Sequence, residues 1–183
     1  MRRRRLPPRP PPPRRALVWL APSEALPATV AFRHAHDPLA PAIAPHVTLV
    51  FPFESTLGDV QIAAHVRRVI AGWPAIPVRF EGFGHFHGDW VYRRITRGRE
   101  ALLELHDRLY RGALAPFLRP DLPYEPHMTI GRATADAGAD ALLRSAVMRL
   151  PQSDEALVRA LTLCRLAGDG AIDCRLQYPL GNA

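Results

Sequence analysis

Apolar residues recur along the chain at two spacings, one typical of strands and one typical of helices. Strands are predicted over 16–21, 46–53, 78–83, 90–95 and 127–132, with a last hairpin joining 157–166 to 171–178. Helices are predicted over 56–72, 100–114 and 136–148, and the proline-rich stretch 22–45 is predicted to be an irregular connection. Short strands with interspersed helices indicate an α+β fold.

Two of the predicted strands begin with the same short motif. The sequence reads PHVTL at 45–49 and PHMTI at 126–130, and each motif is followed by a loop and a helix. The two motifs are offset by 127 − 46 = 81 residues, and the helices that follow them by about the same number. We therefore expect two similar halves, each a sheet with helices packed outside, and equivalent strands beside a shared cleft.

Each motif places an imidazole and a hydroxyl on one face of its strand. Because successive strand side chains point to opposite faces, His46 lies beside Thr48, and His127 lies beside Thr129. Histidine, whose ordinary pKa is near 6.5, serves as acid or base at neutral pH. Breaking a phosphodiester by in-line attack needs one of each, and a nearby hydroxyl can donate to a phosphate oxygen. No metal is needed for this chemistry.

The paired His-x-Thr motifs, about eighty residues apart, resemble the 2H phosphoesterase superfamily, which includes 2′-5′ RNA ligases and cyclic phosphodiesterases. The resemblance extends from residue 16 to about 180. It implies a bilobed fold with pseudo-two-fold symmetry, two antiparallel sheets and a central cleft. It also implies His46 and His127 as the general acid–base pair, and Thr48 and Thr129 as phosphate ligands.

The same resemblance implies which substrates the protein takes. They are RNA termini or small nucleotides with a 2′,3′-cyclic phosphate or a 2′-5′ linkage, which the enzyme hydrolyses or joins reversibly. Neither ATP, a metal nor any other cofactor takes part. Two hypotheses from other classes stay open: a non-catalytic nucleotide or RNA-end binding protein, and a metal-dependent hydrolase built on His85 and His87. For these two histidines we expect an exposed hairpin tip instead.

Several residues near the motifs are further candidates. Tyr124 could stack on a base or pack in the core. Arg132 matches a basic residue that the family often carries after the second motif. By strand parity, however, it faces away from the cleft unless the strand bulges or ends at Gly131. Phe51 and Phe53 are expected in the core by the same parity.

The basic charge is concentrated at the beginning of the chain. The net charge is +7, and residues 1–15 hold seven arginines and no acid, so residues 16–183 are neutral (7 − 7 = 0). This Arg- and Pro-rich tail is predicted to be disordered, and 16–183 to form a single domain. Three interpretations of the tail stay open: a dispensable or misassigned translational start, a weak electrostatic RNA tether, and a transit peptide. We expect a cytoplasmic monomer with no membrane span.

The two cysteines lie on either side of a hairpin turn. Cys164 and Cys174 flank Gly-Asp-Gly at 168–170, which would place them opposite each other across the strands. A disulfide is geometrically possible. Without an export signal, however, two buried free thiols are expected.

The remaining histidines are expected to be structural or solvated. His34 and His36 fall in the stretch predicted to be a loop and should face solvent. His65 and His106 fall on predicted helices, where we expect them at the boundary with solvent.

Overall fold

The computed structural model describes residues 12–86, 89–135 and 138–181. These ranges hold eight strands: β1 (Arg14–Leu20), β2 (His46–Glu54), β3 (Ile76–Phe86), β4 (Trp90–Ile95), β5 (His127–Arg132), β6 (Ser153–Val158), β7 (Ala160–Leu166) and β8 (Ile172–Pro179). They also hold four α-helices: α1 (Pro27–His36), α2 (Asp59–Ile70), α3 (Arg99–Leu109) and α4 (Gly138–Arg149). Two 3-10 turns complete the description, Ser23–Ala25 and Gly112–Phe117.

The strands form two four-stranded antiparallel sheets with equivalent orders. The first sheet has the order β2-β1-β7-β8 and the second has the order β5-β4-β3-β6. In this alignment β2 corresponds to β5, and β1 corresponds to β4. The predicted α+β fold of two related sheets with outer helices is therefore confirmed.

The helices bind the two halves together. Helix α1 follows β1 of the first sheet but packs on β5 of the second, and α3 follows β4 but packs on β2. One apolar core extends across both sheets, with the rings of Trp19 and Phe80 stacked 6.0 Å apart between them. In the described part of the chain, no helix is long and apolar enough to cross a membrane.

The stretch predicted to be an irregular connection contains helix α1. Its Pro27 stands in the first turn, where the missing N–H costs no hydrogen bond, so this proline begins the helix and does not break it. Thr29, Phe32 and Arg33 are buried and share one face at helical spacing. Consequently His34 and His36 lie on a helix and not in a loop.

The predicted strand over 157–166 is two strands in different sheets. β6 pairs with β3 in the second sheet, whereas β7 pairs with β1 in the first, and only Arg159 separates them. Apolar residues continue on both sides of Arg159, so the sequence pattern alone does not reveal the crossing. The crossing joins the two sheets into one folded unit.

Two element boundaries differ from those expected. Helix α2 begins at Asp59, and its N-cap is Gly58, whose N–H donates to the side chain of Gln61 (2.8 Å). Strand β1 begins at Arg14, inside the predicted tail, and the buried Arg15 donates to Asp59 (2.9 Å). The remainder of the predicted tail, over 1–11, lies outside the described residues.

The expectation of two free thiols is wrong, because Cys164 and Cys174 form a disulfide. They lie on neighbouring strands, where Leu163 pairs with Leu176 and Arg165 pairs with Asp173. The extra residue in β8 between these two pairs is a bulge, and the cysteine Cα atoms are 4.1 Å apart. The two cysteines are close enough across the strands to form the bond, whereas the expectation of free thiols rested only on the lack of an export signal.

Candidate active site

The two motifs lie on β2 and β5, the edge strands that approach each other between the sheets. The middle residues of the motifs, Val47 and Met128, are fully buried. The residues on either side of them are partly exposed: His46, Thr48, His127 and Thr129. Each half therefore presents one imidazole and one hydroxyl on the same side of its strand.

The two imidazoles are anchored in the same way. Nδ1 of His46 lies 3.0 Å from the carbonyl oxygen of Ala44, and Nδ1 of His127 lies 2.7 Å from that of Glu125. Because a carbonyl oxygen only accepts hydrogen bonds, each Nδ1 must carry the proton and donate it. The other ring nitrogen, Nε2, is thereby left on both histidines for proton transfer with a ligand.

Burial lowers the pKa of both histidines below the ordinary value of 6.5. For His46 the bond to Ala44 and the charge of Asp37 raise the pKa, whereas Arg33 and His127 lower it. For His127 both the backbone bond and the carboxylate of Glu125 raise it. At neutral pH both imidazoles are therefore mainly uncharged in the free protein.

A buried ion pair positions the segment that anchors His46. Arg33 is almost fully buried and donates twice to Asp37, at 2.9 and 2.6 Å. It also donates to the carbonyl oxygen of Ile43 (3.2 Å), next to the Ala44 carbonyl that binds the imidazole. The sequence offered one signal for this arrangement, the i,i+4 spacing of the two charges, but it becomes readable only once α1 is known.

A bulge in β5 turns Arg132 onto the face of the second motif. Tyr92 pairs with Thr129 and Trp90 pairs with Arg132, so three residues of β4 oppose four residues of β5. Tyr92 and Trp90 share a face, and so do the residues paired with them. Because the strand bulges before Arg132, the side chain of Arg132 lies on the same face as that of His127.

The first half contains the equivalent bulge in β2. Val18 pairs with Thr48, but its neighbour Leu17 pairs with Val50, which leaves one residue of β2 unpaired. The side chain of Phe51 is consequently turned out of the core and is partly exposed. The expectation that Phe51 lies in the core is wrong because strand parity was counted through this bulge.

Arg132 is held by two neighbours on the second sheet. Its guanidinium donates to Asp89 (2.8 Å) and lies over the ring of Trp90, 5.1 Å from the centroid. Beside it a cavity of about 900 Å³ opens between the end of β5 and the end of α1. Arg132 lines this cavity, whereas none of the four motif side chains does.

Tyr124 packs against two other rings, that of His106 on α3 and that of Phe51 on β2. It stacks on His106, with centroids 3.7 Å apart and planes 2° apart, and meets the edge of Phe51 at 6.1 Å. Its hydroxyl is buried, and burial raises its pKa. One face of this ring is already covered, which gives Tyr124 the packing role that was the alternative to base stacking. Phe53 is buried as expected.

The expectation that His65 and His106 lie at the boundary with solvent is wrong. Both are buried, and both reach a carbonyl oxygen that a helix or strand leaves unpaired. His65 Nε2 lies 2.9 Å from the oxygen of Leu109, and His106 Nδ1 lies 2.8 Å from that of Leu49. These histidines satisfy buried backbone groups, a role that helical spacing alone does not distinguish from surface exposure.

The other histidines do not join the pair. His34 is exposed on α1, and the ring of His36 packs on Phe32 at 4.4 Å. His85 is exposed on β3, and His87 lies outside the described residues. Across the described ranges, no three His, Cys, Asp or Glu residues lie close enough together to hold a metal ion.

Two similar halves, each contributing one anchored histidine to a common cleft, define a protein of the 2H phosphoesterase type. Residues 16–170 match the model of the 2′-5′ RNA ligase superfamily, and the chain belongs to this family.

Similar sequences and structures come from bacteria and yeast. A protein of Geobacillus thermodenitrificans named as a phosphoesterase is 31% identical over 55% of this chain and 58% of its own length. A second, from Bacillus licheniformis, is 26% identical over 74% of this chain and 80% of its own. The match therefore spans little more than half of the first relative.

The solved structures show the same fold at low identity. Escherichia coli LigT in complex with 3′-AMP superposes with a TM-score of 0.67 and 17% identity, covering 93% of this chain and 99% of LigT. Kluyveromyces marxianus Usb1 superposes with a TM-score of 0.51 and 12% identity, covering 91% and 98%.

Proposed function

We propose that this protein is a metal-independent phosphoesterase that hydrolyses 2′,3′-cyclic phosphates on RNA ends or nucleotides. The observation that carries the proposal is the matched pair of histidines, each with Nδ1 bonded to a carbonyl and Nε2 left for chemistry. Membership of the 2′-5′ RNA ligase superfamily supports it. The complexes of LigT with 3′-AMP and NADP⁺ further support a site for nucleotides.

The proposed reaction needs one neutral and one protonated imidazole. Nε2 of the neutral histidine removes a proton from water as the oxygen attacks phosphorus, and the bond from phosphorus to the 2′ or 3′ oxygen breaks on the opposite side. Nε2 of the protonated histidine gives its proton to that oxygen. A ribose with one free hydroxyl and one phosphate monoester remains. A 5′-hydroxyl in place of water would give 2′-5′ joining.

The charges around the pair favour one assignment of roles. The carboxylate of Glu125 raises the pKa of His127 and so favours its protonated form. For His46 the largest such influence is Arg33, followed by Asp37 and then His127, so the charges together favour the neutral form. We therefore assign His127 as the acid and His46 as the base.

Other motif residues bind the phosphate in this proposal. Thr48 and Thr129 donate to its non-bridging oxygens, where negative charge develops. Arg132 adds a cation on the same face as Thr129. Tyr124 acts indirectly, by packing under Phe51. Because one chain supplies both halves of the cleft, a monomer is sufficient for activity.

The test is turnover of a 2′,3′-cyclic mononucleotide and of an RNA oligonucleotide with a cyclic phosphate end, with EDTA present. The wild type should hydrolyse at least one of them. His46→Ala and His127→Ala should each lower kcat/KM by ~10²–10⁴-fold, the usual contribution of a general acid or base. Turnover that survives both substitutions would refute the two-histidine mechanism.

A matched control is His85→Ala, which removes an exposed histidine of β3 outside the pair. It should keep the wild-type rate. Loss of activity in this variant, together with loss in EDTA, would favour the metal-dependent alternative. Tight nucleotide binding without turnover, weakened by His46→Ala or His127→Ala, would indicate a binding protein instead.

A further inference from the structure

The cleft face of the second sheet can be traced from the strand register. Tyr92 pairs with Thr129 on one side and with Gly84 on the other, and Trp90 pairs with Phe86. Residues paired across antiparallel strands share a face. The side chains of Phe86, Trp90 and Tyr92, which we call the aromatic wall, therefore stand on the same side as the second motif.

The aromatic wall touches the proposed catalytic acid directly. The rings of Tyr92 and Phe86 lie 5.0 and 5.1 Å from the ring of His127, and 5.5 Å from each other. At one edge of the wall, the guanidinium of Arg132 lies over Trp90. A cation and three rings are thus grouped beside the imidazole.

A glycine allows one ring to lie against the sheet. A Cβ atom at Gly84 would stand 2.6 Å from the hydroxyl oxygen of Tyr92 and 2.7 Å from its Cζ. Without that atom, the phenol ring extends across β3. The ring is therefore laid over its neighbouring strand, an orientation in which its outer face can receive another flat group.

The equivalent positions on the first sheet are buried. Val18 pairs with Thr48 as Tyr92 does with Thr129, which identifies the positions equivalent to Tyr92, Trp90 and Phe86. They are Val18, Ala16 and Cys164, which are 2%, 5% and 1% exposed. Ile43 packs over them, so this side of the cleft is closed. The aromatic wall, by contrast, is partly exposed along its whole length.

We propose that the aromatic wall of Phe86, Trp90 and Tyr92 is the nucleobase-binding surface of this protein, and that recognition is one-sided. The inference rests on the proposed function and specifies its substrate: one nucleoside whose base stacks beside His127, with no matching base site on the first sheet. Stacking on an aromatic side chain is worth about 1–3 kcal/mol per base. The competing explanation is that these rings only hold His127 in place.

The two explanations make different predictions about how much the base of a substrate contributes to kcat/KM. The test compares 2′,3′-cyclic AMP with methyl riboside 2′,3′-cyclic phosphate, which lacks a base, in the wild type, Tyr92→Leu and Trp90→Leu. Each variant should lower the kcat/KM ratio of nucleotide to baseless substrate by about tenfold, through KM. Tyr92→Phe, which keeps a ring, should restore most of the ratio.

The chain offers a matched control. Trp73 also lies under an arginine, Arg108, at 5.3 Å, but it follows α2 and is not part of the cleft face. Trp73→Leu should leave the ratio unchanged. If Tyr92→Leu and Trp90→Leu lower turnover of both substrates equally, the rings only position His127 and the proposal is overturned.

Binding separates this proposal from the proposed function. Calorimetry would compare the Kd of 3′-AMP with that of ribose 3-phosphate in the same variants. A base-dependent gain of about tenfold that both leucine variants abolish would support the aromatic wall even if the wild type hydrolysed nothing. Equal affinities of the wild type for the two ligands would overturn it whether or not turnover is observed.

Discussion

The two halves of this protein repeat one plan but present different surfaces to the cleft. They share strand order, a His-x-Thr motif at the start of an edge strand, an Nδ1–carbonyl bond and a bulge after the motif. They differ in the neighbouring strands, which are aliphatic and covered in the first half and aromatic and partly exposed in the second. On our proposal, the catalytic groups are symmetric while recognition of the base is assigned to the second side.

The residue that follows each bulge also differs between the two halves. Phe51 and Arg132 are both five residues beyond their histidine and both are turned to the motif face. Phe51 is packed against the ring of Tyr124, which precedes β5. Arg132 is instead paired at the surface with Asp89, where a phosphate can compete for it.

After the histidines, we expect the largest loss of activity from substituting the two motif threonines. Comparing them tests whether the two motifs are equivalent. Thr48→Val and Thr129→Val should each lower kcat by about 10²-fold, because each removes a donor to the phosphate as charge develops. Thr→Ser at either position should retain most activity. Steady-state kinetics on a cyclic nucleotide measure both. A loss confined to one threonine would mean that the halves are not equivalent in the chemistry.

The disulfide tests whether β7 and β8, two strands of the first sheet that carry no motif, serve stability alone. Replacing Cys164 and Cys174 by Ala together should lower the free energy of unfolding by about 2–3 kcal/mol, because the bond closes a short loop in the unfolded chain. kcat/KM should change less than twofold. Urea unfolding and a rate assay on the same sample check this. A large loss of activity in the folded variant would show that β7 or β8 takes part in substrate binding.

The smallest effect that we expect comes from substituting the residues that follow the bulges, Arg132 and Phe51. Arg132→Gln should raise KM about tenfold with little change in kcat, because it removes one charge-assisted contact to phosphate. Phe51→Leu should leave KM unchanged and slightly lower stability. The effect of Arg132→Gln should also shrink at high salt. Equal KM values for wild type and Arg132→Gln would remove this residue from the binding site.

The sequence was sufficient for the parts of the fold in which local pattern and tertiary structure agree. The motif strands, their shared face and the two-sheet α+β architecture were predicted correctly. Strand parity failed only beyond the bulges, at Phe51 and Arg132, because a bulge leaves no mark in an alternating pattern. The aromatic wall was missed for a related reason: its residues come together only through the register of β3, β4 and β5.

Helix α1 and the buried histidines were missed because tertiary contacts decide them. The prolines of 22–45 predict an irregular connection, although Pro27 begins a helix. His65 and His106 lie on helices at positions where only packing shows that they meet unpaired carbonyl groups. The disulfide likewise follows from a pairing that no argument from cellular compartment could supply.

The most direct test of the two-histidine account is the pH dependence of kcat/KM on a cyclic nucleotide between pH 4 and 9. A bell-shaped profile is predicted, with one group neutral and one protonated at its maximum. Because burial lowers both pKa values in the free protein, both midpoints and the maximum should lie below pH 6.5, and activity should fall as the pH rises from there to 8. A maximum above pH 7.5, or a rate that rises steadily with pH, would contradict the account.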